Sequence, residues 1–264
     1  MNLGIYFFNM KKKGLSADKA GKIKIVVLAA GKGKRMESVL PKVLSPLAGK
    51  HMIKHLLESI KKISKEKPIA IVGYEAELVK KELSDNCIYA MQKELLGTGH
   101  AVSCAKKYCK NVENIMVLSG DQPFISPQTM KNLTKKHLKE KAKITFTTTK
   151  LPDFMDWRKG FQSFGRILRK NKKVVGIKEY KDASEQEKNI QEVNAGCYVF
   201  NAEWLWKNLE KIKNNNIQKE YYLTDLLAIA SKNKERICTV KIEPKEALGA
   251  NTKEELEILE RFAV

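Results

Sequence analysis

The chain has no apolar run approaching the roughly 18 to 20 uninterrupted residues that span a bilayer, so a membrane-spanning protein is excluded and no membrane partner is expected. Its N-terminus carries a short apolar stretch, Leu3 to Phe8, but Lys11, Lys12 and Lys13 follow that stretch instead of preceding it. This reverses the order of a secretory signal, and a cytoplasmic location is expected. Cysteine is scarce and unpaired in pattern: Cys87, Cys104, Cys109, Cys197 and Cys238 are odd in number and form no CxxC motif, which argues for reduced thiols and against a zinc site. Linker-like stretches rich in Gly, Ser or Pro and internal repeats are also missing, so residues 23–264 read as one domain behind a flexible extension, 1–22. Acidic residues are short in supply, 30 against 50 Lys plus Arg, a net charge of +20. Such a surplus marks either a nucleic-acid binder or lysine-rich solvated faces. The lysines are scattered in pairs such as Lys61-Lys62, Lys106-Lys107 and Lys172-Lys173, which favours the solvated faces, and no nucleic-acid partner is expected.

What is present builds a packed core: 43% of 264 residues are hydrophobic, close to the globular range of about 45–50%. Ile23 to Ala30 is a nearly continuous β-branched apolar run, the pattern of a strand buried on both faces. Helical spacing of Met52, Ile53, Leu56, Leu57, Ile60 and Ile63 predicts a helix over about 50–63. Further strands are predicted at Pro68 to Val72 and Asn114 to Leu118, with helices at Glu75 to Leu83, Thr98 to Tyr108 and 126–138. This βαβαβα alternation is the signature of an open parallel sheet covered by helices on both faces. After Lys143 the texture becomes richer in strands: Ile144 to Thr149, short strands near Arg166 to Leu168 and Val174 to Ile177, then Cys197 to Phe200 and Arg236 to Ile242. Helices near 202–213, 220–231 and Thr252 to Phe262 complete the chain, and a smaller sheet-rich lobe is expected.

Open α/β sheets bind ligands beyond the carboxyl ends of their strands, so the loops after Ala30 and Leu118 are where chemistry is sought. In Gly31-Lys32-Gly33-Lys34-Arg35-Met36, two glycines free backbone N–H groups to approach phosphate and three cations can neutralise it. The loop is neither a Walker A motif nor a complete GxGxxG. Lys42 stands alone in the apolar stretch Val39 to Leu44, where its stem can be buried but its ammonium must find a partner. Asp121 follows the strand through Ser119-Gly120 and puts a carboxylate at the strand's carboxyl edge; magnesium is commonly held by one or two carboxylates with phosphates and water. A turn-forming Asp before Pro123 is the structural alternative.

In order and spacing, LAAGKGKRM and LPKVL, then QKELLGTGHA, SGDQP, FGRI, IKEYKDAS, EVNAGCYVFN, NNNIQKEYYLTDLL and GANTKEELEILER resemble the pyrophosphorylase domain of the N-acetylglucosamine-1-phosphate uridylyltransferases, within the sugar-phosphate nucleotidyltransferases. The resemblance covers the chain from about Ile23 onward. It implies a Rossmann-like, mostly parallel mixed sheet of the nucleotide-diphospho-sugar transferase type with a smaller sheet-rich sugar-binding lobe. It also implies that Leu28, Ala29, Ala30 and Gly31 line the nucleotide, that Arg35 and Lys42 contact phosphates as the catalytic cations, and that Gln92 with Gly97 and Thr98 reads the base. Asp121, which also borders the nucleotide, and Asn251 resemble the pair that holds Mg²⁺. Gly165, Glu179 and Asn194 resemble the sugar-recognition set, with Thr224 and Asn251 bordering it.

The activity so implied is attack of a sugar 1-phosphate oxygen on the α-phosphorus of UTP with pyrophosphate leaving in line, giving UDP-N-acetylglucosamine. A phosphate monoester with a second pKa near 6 is already mostly dianionic at pH 7, so no protein nucleophile or general base is required, and His51, His55, His100 and His137 receive no catalytic role. A structural hydrogen bond is expected for His100. Three local departures bear on sugar choice: Gln122 stands where an apolar residue is usual, Phe164 replaces Tyr, and Ala195 replaces Thr. The span Pro152 to Ser163 is longer than usual and is expected to form a lid or an oligomer contact. The family's bifunctional members continue into an acetyltransferase β-helix that this sequence does not contain, so a monofunctional enzyme is expected. Alternatives are glucose 1-phosphate or dTTP as substrates, or a non-catalytic regulatory subunit; retention of Arg35, Lys42, Asp121 and Asn251 disfavours the last.

Overall fold

The computed structural model describes residues 23–33 and 40–263; the extension 1–22 and Arg35 lie outside the described residues. Strand β1 (Ile23–Ala29) is central. It pairs in parallel with β4 (Ile69–Val72) on one side and β6 (Asn114–Ser119) on the other. Beyond β4 lies β5 (Ile88–Met91), also parallel, a short strand that the periodicity does not reveal. All four residues of β4 and the first five of β6 are buried, as expected for strands sandwiched between helical layers. A small hairpin of β2 (Pro46–Leu47) and β3 (Lys50–His51) follows the 3-10 turn Lys42–Leu44 and leads into α1 (Met52–Lys61). Helices α2 (Ala76–Leu83) and α3 (Thr98–Ser103) return the chain between parallel strands. The Thr98 to Tyr108 helix expected from the sequence is therefore split, α3 being followed by a separate 3-10 turn, Lys106–Tyr108.

Helix α4 (Pro127–Lys139) is capped by the Ser126 hydroxyl, which accepts from the Thr129 N–H, with Pro127 at its first position. Strand β7 (Ile144–Lys150) follows, then the hairpin β8 (Arg166–Lys170) and β9 (Lys173–Lys178), the four-residue helix α5 (Glu185–Lys188) and the long β10 (Glu192–Asn201). Helices α6 (Ala202–Leu209) and α7 (Asp225–Lys232), strand β11 (Ile237–Lys241) and helix α8 (Lys253–Phe262) end the chain. The strand-rich second lobe is continuous with the first: β10 pairs antiparallel with both β6 and β7, β11 runs parallel to β7, and the β8–β9 hairpin branches from β10. Among the described residues this makes one nine-stranded mixed sheet. The register of β10 against β7 shifts between Asn194 and Tyr198, where Gly196 takes φ +81°, so the strand bulges beside Asn194.

Two apolar layers sandwich the sheet. One joins Ile53, Leu56 and Ile60 of α1 to Val27 and Leu118; the other joins Val102 of α3 and Leu226 and Leu227 of α7 to Val26, Phe146 and Phe200. The thiols are free, and Cys87, Cys109, Cys197 and Cys238 are buried. Burial pushes the Cys87 and Cys197 thiols up to about 12, which keeps them protonated and unreactive. Among the described residues no helix is long and apolar enough to cross a membrane.

Candidate active site

The carboxyl ends of β1, β5 and β6 open into a cleft of about 450 Å³ lined by Leu28, Ala29, Ala30, Gly31, Lys42, Gln92, Gly97, Thr98 and Asp121. Nine residues that the resemblance assigns to the nucleotide are thus brought to one hollow, at the sheet edge where this architecture binds ligands. Lys32, Val43, Leu95 and Glu220 are among its other wall residues. Of these, Glu220 was given no site role by the sequence, although it lies in the NNNIQKEYYLTDLL stretch that carries the resemblance; it arrives from the segment before α7.

Lys42 sits at the floor. Its ammonium donates to Asp121 Oδ2 and to Asn251 Oδ1, the latter at 2.8 Å, so the lone cation of the apolar stretch is partnered by two oxygens 79 and 209 residues away in sequence. The approach is tight. Gly33 has φ +65°, and a Cβ there would lie 2.8 Å from Lys42 Cβ, so both backbone conformation and space demand glycine. Asn251 is held in turn: its N–H donates to Glu255 Oε2 at 2.5 Å, and the Thr252 hydroxyl accepts from the Glu255 N–H at 3.2 Å, capping α8. Gln122 ties this segment to β10. Its buried amide nitrogen donates to Ala247 O and Ala195 O, both at 3.1 Å, so Gln122 stitches the 3-10 turn Pro244–Ala247 to β10.

Asp121 and Asn251 therefore present two hard oxygens that converge on one cation, a donor set that suits Mg²⁺. Among the described residues no group of three or more His, Cys, Asp or Glu gathers into a metal site. A pair completed by substrate phosphates and water is the geometry these residues fit.

At the other end of the cleft, Gln92 is 3% exposed. Its amide nitrogen lies 3.1 Å from Gly97 O and 3.1 Å from His100 Nδ1, the latter being the structural bond expected for His100. Gly97 has φ +105°, and a Cβ on it would come within 2.8 Å of the Tyr221 backbone N and O. That contact is a clasp: Tyr221 N–H donates to Leu96 O, Gly99 N–H to Tyr221 O, both at 2.7 Å, and Leu223 N–H to the Thr98 hydroxyl at 3.0 Å.

The same segment, 220–224, reaches the second set of residues. The Thr224 hydroxyl donates to Glu179 Oε1 at 2.7 Å. Thr224 precedes α7, where Thr would ordinarily accept from a first-turn N–H, yet it makes no cap hydrogen bond; its hydroxyl is committed to Glu179 instead. A Cβ on Gly165 would lie 3.5 Å from both Glu179 oxygens, and the Asn194 N–H donates to Gly165 O at 2.8 Å. Gly165, Glu179, Asn194 and Thr224 are thus gathered, whereas Asn251 lies with Lys42 and Asp121. Burial pushes the Glu179 carboxyl up, opposed by the Thr224 hydroxyl and reinforced by Asp225 and Asp182. Burial likewise raises Asp225 and the Tyr198 phenol, the latter with help from Glu179.

Arg166, 0% exposed, fixes the loop that carries Gly165. Its guanidinium donates to the carbonyls of Phe161 (3.4 Å), Gln162 (3.0 Å), Phe164 and Lys188 (3.1 Å), and the rings of Phe154 and Tyr180 flank it at 4.7 and 5.1 Å. The longer connection predicted as a lid or oligomer contact packs on its own chain: within the 3-10 segment Asp156–Ser163, Trp157 meets Phe262 of α8 edge to face at 5.2 Å.

A glycine-rich loop, a cation-bridged carboxylate and amide, and a second polar set around a mixed sheet define a nucleotidyltransferase. The family model of the MobA-like NTP transferase domain matches residues 25–158. The chain is 40% identical over 233 residues to a bifunctional protein GlmU of Clostridium perfringens, covering 88% of this chain and 50% of that protein. It is 40% identical over 242 residues to one of Desulfotalea psychrophila, covering 90% of this chain and 69% of that one. Thus the chain spans about half the length of several curated relatives it matches. Among solved structures, a UDP-glucose pyrophosphorylase complexed with UDP-glucose superposes with a TM-score of 0.71 at 18% identity, over 91% of this chain and 98% of that one. A Bacillus anthracis chain described as a glucose-1-phosphate thymidylyltransferase gives 0.71 at 17%, over 91% and 95%. The chain belongs to the MobA-like NTP transferase family, and within it to the sugar-phosphate nucleotidyltransferases that include the pyrophosphorylase region of GlmU.

Proposed function

We propose that this protein transfers the uridylyl group of UTP to N-acetylglucosamine 1-phosphate, releasing pyrophosphate and forming UDP-N-acetylglucosamine. The observation that carries this reading is the junction of Lys42, Asp121 and Asn251, with the base-reading turn on one side and the Gly165–Glu179–Asn194–Thr224 set within reach of the same 220–224 segment. The relatives named GlmU support the sugar and the nucleotide.

In this reading Leu28 to Gly31 offer backbone to the nucleotide, and Gln92 meets the base. Glu179, Asn194 and Thr224 orient the sugar so that its phosphate oxygen faces the α-phosphorus of UTP opposite the bond to pyrophosphate. One P–O bond forms as the other breaks, and the departing pair of electrons leaves with pyrophosphate. No proton has to be removed from the attacking dianion. The demand on the protein is to bring two anions together and neutralise the charge that builds on the α-phosphoryl oxygens, a task for the Lys42 ammonium. Mg²⁺, held by Asp121 and Asn251, would supply further charge neutralisation on the phosphates. Arg35 is proposed as a second phosphate contact from the sequence alone.

The test is pyrophosphate release with UTP, Mg²⁺ and N-acetylglucosamine 1-phosphate, alongside glucose 1-phosphate and dTTP. Turnover with the first pair ahead of the others is expected. Absence of turnover with every sugar 1-phosphate and every nucleoside triphosphate would sink the proposal.

A further inference from the structure

Gln92 follows strand β5 directly and its backbone N–H donates to Val72 O at 2.8 Å, so its side chain enters the cleft from a rigid base. The Gly97 carbonyl can only accept, which requires the amino end of the Gln92 amide at that contact. The second amide hydrogen points at His100 Nδ1. That ring nitrogen must then be the unprotonated one, leaving the proton on Nε2. Both amide hydrogens are consumed inside the protein, and only Oε1 remains for a molecule in the cleft.

We propose that His100 is a positioning residue for base selection: by accepting at Nδ1 it locks the Gln92 amide so that this side chain meets the base as an acceptor alone. A ring N–H flanked by carbonyls, as in uracil or thymine, satisfies that acceptor. The corresponding ring nitrogen of cytosine carries a lone pair, so two acceptors would face each other in a buried site, each without a donor. Gly97 by itself holds the amide by one hydrogen bond, so a flipped amide forfeits a single contact; the histidine supplies a second anchor that a flip must also break. Selection against cytosine is thus built one residue behind the group that touches the base, in the first turn of α3. The inference rests on the nucleotidyltransferase reading above for the nature of the ligand, and on the geometry of Gln92, Gly97 and His100 for the lock.

The experiment compares kcat/KM for UTP and CTP, each with N-acetylglucosamine 1-phosphate, in the full chain and in two variants. In His100→Asn, Oδ1 stands the same number of bonds from Cα as Nδ1 and can accept in its place; His100→Leu removes the acceptor. The UTP-to-CTP ratio is expected to fall at least tenfold in the Leu variant, through KM, with kcat for UTP within threefold of wild type, and to return within threefold of wild type in the Asn variant. An unchanged ratio in the Leu variant, or an Asn variant as defective as Leu, would overturn the assignment. Long-range ¹H–¹⁵N spectra of the wild-type protein give a readout that survives a misfolded variant: His100 should show the proton on Nε2, and a proton on Nδ1 would refute the lock. If the wild type turned over no nucleotide, the proposed function would fail while the tautomer still decided the lock.

Discussion

Lys42 interrupts a stretch that would otherwise be wholly apolar, and burying its stem while leaving its ammonium between Asp121 and Asn251 costs solvation that only a charged duty repays. Replacing it with alanine removes a cation from the point where two substrates' phosphates are proposed to meet. Losing one such electrostatic contact typically costs about 3–4 kcal/mol of transition-state stabilisation, so Lys42→Ala should lower kcat by 10²-fold or more with a far smaller change in thermal stability. A near-normal rate in a pyrophosphate-release assay would remove Lys42 from the mechanism. Glu179 makes a different residue-scale case. Burial holds its pKa above the usual carboxylate range, so the folded protein is penalised for ionising it, and that penalty grows as pH rises above the unfolded value towards the raised one. Glu179→Gln removes the penalty: its melting temperature at pH 7 should exceed that of the wild type, while KM for the sugar phosphate rises. A melting temperature that falls would show that the carboxylate is a net stabiliser.

Helix α8 lies outside the parallel sheet and follows directly on Asn251, the asparagine proposed to hold the metal. Glu255 in its first turn fixes the Asn251 backbone, and Phe262 in its last turn is seated on Trp157. The helix is therefore a strap whose two ends are anchored on different parts of the chain. Phe262→Ala would remove a half-buried aromatic contact worth about 1–2 kcal/mol. The expected result is a lower melting temperature together with a raised Mg²⁺ requirement, read from activity against Mg²⁺ concentration. If stability falls and the Mg²⁺ curve stays in place, the strap does not position Asn251. The segment 220–224 is the second such element: it clasps the Gly97 turn with its backbone and holds Glu179 with Thr224, so one short stretch spans the proposed nucleotide and sugar sites.

Across the whole molecule, pH enters through His137, 2% exposed in α4. Asn114 Oδ1 can only accept, so Nε2 donates to it at 3.1 Å and Nδ1 accepts from the Thr145 hydroxyl at 3.0 Å; the neutral ring is the form this site fits. Burial, reinforced by Lys143, lowers its pKa from 6.5 to about 4. The unfolded chain therefore binds a proton that the folded one refuses, and stability should fall as pH drops from about 6.5 towards 4, by up to about 3 kcal/mol. Urea unfolding across that window checks it, and His137→Gln should flatten the slope. The net charge of +20 acts over the same scale: it draws anionic substrates inward, so kcat/KM should decline as salt rises with little change in kcat.

Much of this was legible in the sequence because it is local. The β-branched run from Ile23 marks a buried strand, and the Gly-rich loop and Asp121 follow their strands closely, where an open sheet puts its ligands. Strand β5 escaped because four residues with one fully buried side chain carry no period, and the β2–β3 hairpin because two residues a side carry none either. The smaller sheet-rich lobe expected within the one domain is continuous with the main sheet because β10 pairs with both β6 and β7, a pairing no local pattern encodes. The Gly-rich loop, Lys42 and Asp121 were marked by composition and spacing, whereas Gln92, Glu179, Asn194, Thr224 and Asn251 were marked by the family resemblance. That Lys42 lies between Asp121 and Asn251, that Thr224 gives up a helix cap for Glu179, and that His100 leaves Gln92 a single free acceptor were decided by tertiary structure alone, since each joins groups that only chain folding brings within hydrogen-bond reach.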